Sequence, residues 1–353
     1  MSKSKSLLII APYQFGELSD CYYWAKYTTL SGVKTSYIGY RYRSRDINPR
    51  ICPGVKTISI PRFNNRILLG LVFYFVCIFE IIWHNYQNVI ICRMPYCEIL
   101  AKLFKRRNII LDIRTLSVSK DVSIRDTQNK KTIAVKKLFK TCTIISNEIG
   151  EIVGKPYQVL PLGAEPLSSS KKEFDSLRFF YIGTFNGRCL SVFINGLALY
   201  QQHFNTTCTF DIVGGGDVDE ETAIHTAILK SGVKGVTLHG YLNHDEATRF
   251  FDHCNIGVCY VPITDYYQFQ PPTKLYEYLL AGMACIATRT YSNSLVVNEQ
   301  NGILIGDDEE SVFNGIVSLT KRMSTFQSSA IVNDSLSYHW EKIIQEKLLP
   351  LLK

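Results

Sequence analysis

The feature that most constrains this chain is an alternation: short apolar runs of strand length are separated by longer stretches with helical, amphipathic spacing. That pattern predicts a mostly parallel sheet covered by helices, because parallel strands buried on both faces read as continuous apolar runs and need a long crossover between them. Seven runs fill the first half: SLLIIAPY (6–13), TSYIGY (35–40), VKTISI (55–60), NVIICR (88–93), NIILDI (108–113), CTIISN (142–147) and YQVLPLG (157–163). The first is followed by a loop over 14–19 and a helix to about Leu30. A polar stretch, GAEPLSSSKK (163–172), reads as a linker. Six more runs follow: LRFFYIG (177–183), CTFDIVGGG (208–216), VTLHG (236–240), NIGVCYV (255–261), MACIAT (283–288) and NGILIG (301–306).

With 353 residues the chain is long enough for about two domains. The expectation is an α/β protein of two facing Rossmann-like domains, residues 1–165 and 172–336, with ligands bound at the carboxyl ends of the strands in a cleft between them. The tail SYHWEKIIQEKLLPLLK (337–353) reads as an amphipathic helix that packs back on the first domain.

Charge is divided unevenly. Residues 1–170 carry 25 Lys and Arg against 11 Asp and Glu, a net +14, whereas residues 171–353 carry 14 against 20, a net −6. The first half should therefore seek an anionic surface. Its basic clusters (Arg41, Arg43, Arg45; Lys105, Arg106, Arg107; Lys130, Lys131, Lys136, Lys137, Lys140) accompany a 17-residue apolar run, ILLGLVFYFVCIFEIIW (67–83). The run is shorter than the ~20 residues of a bilayer span and is interrupted by Glu80, so a core helix or a helix lying among lipid headgroups is favoured over a spanning one. Arg62 and Arg66 beside it favour anionic lipid, and no nucleic-acid-binding motif accompanies the charge. The 11 cysteines are odd in number and scattered, which fits a reducing cytoplasm, and neither Cys92/Cys97 nor Cys254/Cys259 has the spacing or His partners of a zinc site. The seven His form no cluster.

The most informative stretch is QPPTKLYEYLLAGMACIAT (270–288). Two prolines introduce a helix whose first turn holds Thr273 and Lys274, so free N–H groups, a hydroxyl and an ammonium converge where a phosphate could sit. Glu277 follows on an adjacent part of the same surface, placed to accept hydrogen bonds from a vicinal diol such as ribose; an ordinary Lys–Glu helix pair is the plainer reading. GGGD (214–217) lacks the spacing of a dinucleotide fingerprint and leads into an acidic stretch, so it reads as a turn.

This stretch resembles the signature of the retaining nucleotide-sugar glycosyltransferases of the GT-B fold, the glycosyl transferases group 1 or family 4-like enzymes of bacterial polysaccharide assembly. YIGTFNGR (181–188), VTLHGYLNHDEATRFFDHCNIGVCYVP (236–262), ISNE (145–148), VLPLGAE (159–165) and YHWEK (338–342) resemble further segments of that family in the same order, covering most of the chain. The resemblance implies that Arg188 and Lys274 neutralise the donor pyrophosphate, that the backbone of Gly183 and Thr184 lies beside it, and that Glu277 holds the ribose. Gly240, Tyr241 and Leu242 would meet the base, with Tyr241 either a stacking ring or a core residue. Arg114 stands where many relatives carry a histidine, with Asp112 two residues before it; either holds sugar hydroxyls, or the two form a cleft-lining ion pair. Gly16 and Glu17 would approach the acceptor.

One departure matters. Relatives commonly carry a second glutamate eight residues before the ribose-binding one, and Phe269 occupies that place; Gln268 or Gln270 is expected to substitute. The implied activity is retaining transfer from a nucleoside diphosphate sugar, UDP- or GDP-linked, to a lipid-linked glycan at the inner face of the cytoplasmic membrane, with no metal and no resident cofactor. The rivals are a non-catalytic scaffold subunit and a sugar-nucleotide epimerase or phosphorylase.

Overall fold

The structure, a computed structural model, describes residues 5–41, 50–242 and 244–353. It forms two compact units, Met1–Leu162 with Trp340–Lys353, and Gly163–His339. Each of the thirteen apolar runs contains a strand.

The first unit runs β1 (Ser6–Ile10), α1 (Ser19–Leu30), β2 (Lys34–Arg41), β3 (Lys56–Pro61), α2 (Arg66–Trp83), β4 (Asn88–Cys92), α3 (Glu98–Leu103), β5 (Asn108–Ile113), α4 (Val122–Lys136), β6 (Thr141–Ile144), α5 (Asn147–Val153) and β7 (Gln158–Val159). Its parallel sheet has the order β3-β2-β1-β4-β5-β6-β7. The central strands β1, β4 and β5 are buried along nearly their whole length, which is why their sequences show no polar alternation. Arg43 and Arg45 lie outside the described residues. Lys136 is not surface charge: it is buried, and its ammonium donates to the Gly154 carbonyl at 2.6 Å.

The second unit runs β8 (Arg178–Thr184), α6 (Leu190–Phe204), β9 (Thr209–Gly215), α7 (Val218–Ser231), β10 (Val236–Gly240), α8 (His244–His253), β11 (Ile256–Cys259), α9 (Thr273–Leu280), β12 (Ala284–Thr288), α10 (Tyr291–Ser294), β13 (Gly302–Ile305), α11 (Glu309–Arg322) and α12 (Ser328–Ser335). The parallel order β10-β9-β8-β11-β12-β13 reverses direction at the β8/β11 boundary, and the carboxyl ends of the strands there form the crevice in which such sheets bind ligands. The stretch 163–172 is packed rather than loose: Ser168 and Ser170 donate to Asp252 on α8, and buried Lys172 donates to Ser168.

Two elements depart from expectation. The apolar run forms α2, capped by Asn65, whose side chain accepts from Leu68 N–H at 3.1 Å. It is not a core helix, because only Phe73, Cys77, Glu80 and Ile81 are buried. Glu80 points inward, 3.1 Å from Lys56 on β3 and 3.0 Å from His84, so the residue that interrupts the run in sequence leaves its outer face uninterrupted. The tail is not one regular helix either. It forms α13 (Trp340–Ile343), widens into a π turn over Ile344–Leu348 and closes in a tight turn at Leu349–Leu351. Trp340 stacks on Tyr23 of α1 at 5.9 Å. Asn88 and Asn108, at the starts of β4 and β5, hold the tail's backbone: Asn88 donates to Lys353 O and accepts from Lys353 N, and Asn108 donates to Leu351 O.

Candidate functional site

In the second unit, the next-to-last residue of β8 is Gly183 with φ +137°, a backbone that disfavours any other residue. Its sheet partner Gly214 has φ +140°, and a Cβ there would stand 1.9 Å from the Gly183 carbonyl oxygen. The two glycines thus bring strand ends together and leave an open backbone edge beside the loop to α6. Tyr181 fixes that loop by donating to the Thr184 carbonyl at 2.7 Å, and Phe185 N–H donates to Gly215 O at 2.9 Å.

Two cations converge on this loop. Lys274, in the first turn of α9, sets its ammonium 3.6 Å from the centroid of the Tyr181 ring, and a Cβ on Gly183 would lie 3.1 Å from that nitrogen. Arg188, at the end of the loop, lays its guanidinium 4.8 Å from the centroid of the Tyr267 ring. Among the described residues neither has a carboxylate within ion-pair distance. Burial lowers the Lys274 pKa to about 7; Cys259 and Glu277 pull it back up, and Arg188 pushes it further down. Aromatic faces support a desolvated cation without neutralising it. A half-buried, desolvated cation held this way is poised for an anion.

Helix α9 is aimed by Tyr278, which is fully buried, accepts from Ile182 N–H at 3.2 Å and donates to Val258 O at 3.4 Å. Its N-terminus follows Pro272 with no side-chain cap, so the first-turn N–H groups around Thr273 remain directed at the same space. Glu277 lies one turn along the helix from Lys274. Gly240 (φ +66°) ends β10, and the exposed Tyr241 ring comes 3.1 Å from where a Cβ on Gly215 would be, so it is not a core tyrosine; Leu242 beside it is half-buried. The structure therefore gathers Gly183, Thr184, Arg188, Thr273, Lys274 and Tyr241 about the ends of β8, β9 and β10.

The two residues expected to stand in for the missing glutamate differ in their surroundings. The Gln268 side-chain carbonyl accepts from Tyr291 N–H at 2.7 Å, which ties it to the start of α10. Phe269 packs edge-on against Tyr291 at 5.4 Å, which accounts for an aromatic ring at that position. Gln270 lies just before the helix, its N–H donating to Tyr267 O at 3.3 Å. In GGGD, Asp217 caps α7 by accepting from Glu220 N–H at 3.0 Å.

At the carboxyl ends of the first unit's strands the cation is paired through both terminal nitrogens, while its Nε has no partner among the described residues. Arg114 donates to Asp20 and, at 2.6 Å, to the Leu160 carbonyl, and its guanidinium lies 5.4 Å from the Trp24 ring centroid. Asp112, 3.9 Å away, is completely buried; its Oδ1 accepts from Thr143 at 2.7 Å, while Oδ2 has no partner among the described residues. Burial raises the Asp112 pKa to about 7 against the opposing pull of Arg114 and Thr143. Gly16 (φ +89°) and Glu17 lie in the β1–α1 loop, where a Cβ on Gly16 would meet the Arg50 side chain at 2.7 Å, and Glu17 accepts from Gln14 N–H at 3.3 Å.

Sequence reasoning passed over Tyr181, Tyr267 and Asp20. Tyr181 lies within an apolar strand and reads as core, and Tyr267 sits in an aromatic cluster; neither position signals a cation above its ring. Asp20 carried one signal, its place in the first turn of a helix directly after the loop holding Glu17.

The description "Glycosyl transferases group 1" belongs to the family profile that residues 176–322 match. No curated protein matches the chain in sequence. Among solved structures, sucrose-phosphate synthase from Thermosynechococcus elongatus is similar at a TM-score of 0.75 and 15% identity, covering 97% of both chains. Anabaena HepE in complex with UDP and glucose is similar at 0.72 and 12%, covering 97% of this chain and 98% of that one. The lipopolysaccharide outer core galactosyltransferase WaaB gives 0.68 and 13%, covering 98% and 100%. The segment 176–322 thus carries the match to group 1 glycosyl transferases, and the chain as a whole has the two-Rossmann-domain fold of the GT-B glycosyltransferases.

Proposed function

We propose that the protein is a retaining glycosyltransferase that moves a sugar from a nucleoside diphosphate sugar, UDP-linked in the first instance, to a lipid-linked glycan at the inner face of a membrane. The observation that carries this reading is the half-buried Lys274, its ammonium beside the Gly183 backbone, with Arg188 on the same loop and, among the described residues, no carboxylate at ion-pair distance from either. The UDP bound in HepE supports the choice of base. As the glycosidic bond to the diphosphate breaks, the acceptor hydroxyl forms the new bond on the same face of the sugar, and its proton passes to the leaving phosphate oxygen. Charge on that phosphate is stabilised by Lys274, Arg188 and the α9 N-terminus, donors fixed before reaction. These cations take the role a divalent metal has in other transferases, so turnover should survive EDTA. Glu277 would hold the ribose, Tyr241 the base, and Gln270 a sugar hydroxyl.

The test is a thermal-shift titration with UDP, GDP, TDP, CMP and ADP in EDTA, on the native chain and on Lys274→Ala. A ligand at about 100 times its Kd adds roughly 2.7 kcal/mol, several degrees of midpoint. Stabilisation by UDP that disappears in the variant supports the reading. Silence across the panel from a folded protein sinks it and favours a scaffold, the alternative that Phe269 and the committed Gln268 suggest.

A further inference from the structure

The outer stripe of α2 is the least explained surface of the first unit. Ile67, Leu71, Phe75, Phe79, Ile82 and Trp83 recur at helical spacing on the side opposite Phe73, Cys77 and Glu80, and all are exposed, Phe75 by 70% and Trp83 by 72%. Phe79 and Trp83 stack on each other at 5.6 Å rather than on any neighbour. No polar side chain breaks the stripe between Ile67 and Trp83, and so large a continuous apolar patch is not left to water without a reason.

What surrounds the stripe identifies its occupant. The β3–β4 and β4–β5 connections run the same way across the sheet, so right-handed crossovers place α2 and α3 side by side, and Tyr74 hydrogen-bonds the Pro95 carbonyl just before α3. Helix α3 adds exposed Ile99 and Leu103. Lys102, Lys105 and Arg106 are exposed along and just after α3, and Arg107 donates to Asn85 immediately beyond the end of α2. Arg66 opens the helix at its other end. Cations therefore stand at both ends of an apolar stripe, the arrangement of a helix lying at the boundary between acyl chains and anionic headgroups, with Trp83 at interfacial depth. Glu80 ties the inner face to Lys56 on β3, so the helix cannot leave the sheet to span a bilayer while the fold is intact.

We infer that the outer face of α2, with the basic segment after α3, docks the protein onto an anionic lipid bilayer, the helix lying in the plane of the membrane. This gives the peripheral location proposed above a specific surface and rests on that part of the reading; it is independent of the donor chemistry.

The chain carries its own reporter. Of its 3 tryptophans, Trp24 and Trp340 are fully buried and only Trp83 is exposed. With the full chain, vesicles of mixed phosphatidylglycerol and phosphatidylcholine should shift Trp83 emission to the blue, and bromine-labelled acyl chains should quench it. Both effects should fade in high salt and be weak on phosphatidylcholine alone. Leu71→Ser with Phe75→Ser should weaken vesicle binding by about tenfold or more, and Lys102→Gln, Lys105→Gln and Arg106→Gln together should reduce its salt dependence, each at an unchanged thermal midpoint. An unaltered Trp83 spectrum with vesicles overturns the inference. So does a blue shift that follows protein concentration without lipid, which would assign the stripe to a second copy of the chain. Failure of UDP to bind, with vesicle docking intact, would leave this inference standing and remove only the donor reading.

Discussion

Each unit holds a half-buried cation at the carboxyl ends of its parallel strands, and the two are treated in opposite ways. Arg114 is surrounded by acceptors: Asp20, Asp112 and the Leu160 carbonyl, with the Trp24 ring nearby. The carboxylates of Asp20 and Asp112 outweigh the opposing effect of burial and raise its pKa further. Lys274 has a tyrosine face and, among the described residues, no carboxylate at ion-pair distance, and burial has brought its pKa down to about 7 against the weaker pull of Cys259 and Glu277. A cation paired with carboxylates is internal structure, whereas an unpaired one costs stability and persists where a ligand completes it. On this comparison Arg114 holds the α1 N-terminus against β5, and Lys274 is the cation left for the diphosphate proposed above.

The comparison breaks most readily at Lys274. Lys274→Ala should reduce transfer by about 100- to 1000-fold, the usual loss when one fixed donor to a developing anion is removed. The ligand-free variant should be no less stable than the native chain, because an unpaired buried charge has gone. Single-turnover transfer alongside urea denaturation checks both parts. A variant that keeps its activity would make Lys274 a structural cation after all.

Arg114→Ala should do the reverse. It leaves Asp20 and Asp112 without their shared partner, at a cost of about 3 kcal/mol of stability in the first unit, while the UDP-induced thermal shift of the second unit is retained. Loss of donor binding at unchanged stability would contradict the division of roles.

How much of this contrast could be read from sequence depends on what fixes each feature. The strands were legible because burial on both faces of a parallel sheet leaves uninterrupted apolar runs, as in NVIICR and ACIAT. The convergence of Lys274 and Arg188 on one loop was legible because a glycine, a helix start and two cations stand in a fixed order along the sequence. The rings beneath them were not, since a tyrosine in a strand looks the same whether or not a lysine lies on its face. Nor was the exposure of α2: a helix apolar on every side shows no periodicity to tell its buried face from its free one. Gln268 and the Asn88/Asn108 clamp on the tail depend on partners distant in sequence, which local pattern does not reveal.

Asp112 sharpens the comparison with a smaller effect. Its folded pKa, about 7, lies above the unfolded value of 3.8, so the folded state binds more protons between these values and stability falls as pH rises through that window. Asp112→Asn removes the dependence. The variant's stability relative to the native chain should therefore improve by about 2 kcal/mol between pH 5 and pH 8 in urea titrations, at ~1.4 kcal/mol per pKa unit and with allowance for relaxation. A pH-independent difference would mean that Asp112 stays ionised throughout.

The smallest effect is the most direct test of a cation awaiting an anion. Lys274 has a folded pKa of about 7 against an ordinary 10.5, so without ligand its ammonium is half deprotonated near neutrality. A diphosphate beside it favours the charged form and raises the pKa again. Binding must then take up a proton above pH 7, and affinity must fall as pH rises through the ligand-free value. If only the ammonium form binds, UDP affinity drops about fivefold between pH 7 and pH 8, as the protonated fraction falls from about a half to about a tenth. Titration calorimetry in two buffers of different ionisation enthalpy measures the proton uptake directly, and Arg188→Ala should move the affinity loss to higher pH because Arg188 helps to depress the Lys274 pKa. UDP binding that is flat in pH and takes up no proton would show that the ammonium is already satisfied, and Lys274 would then resemble Arg114 rather than oppose it.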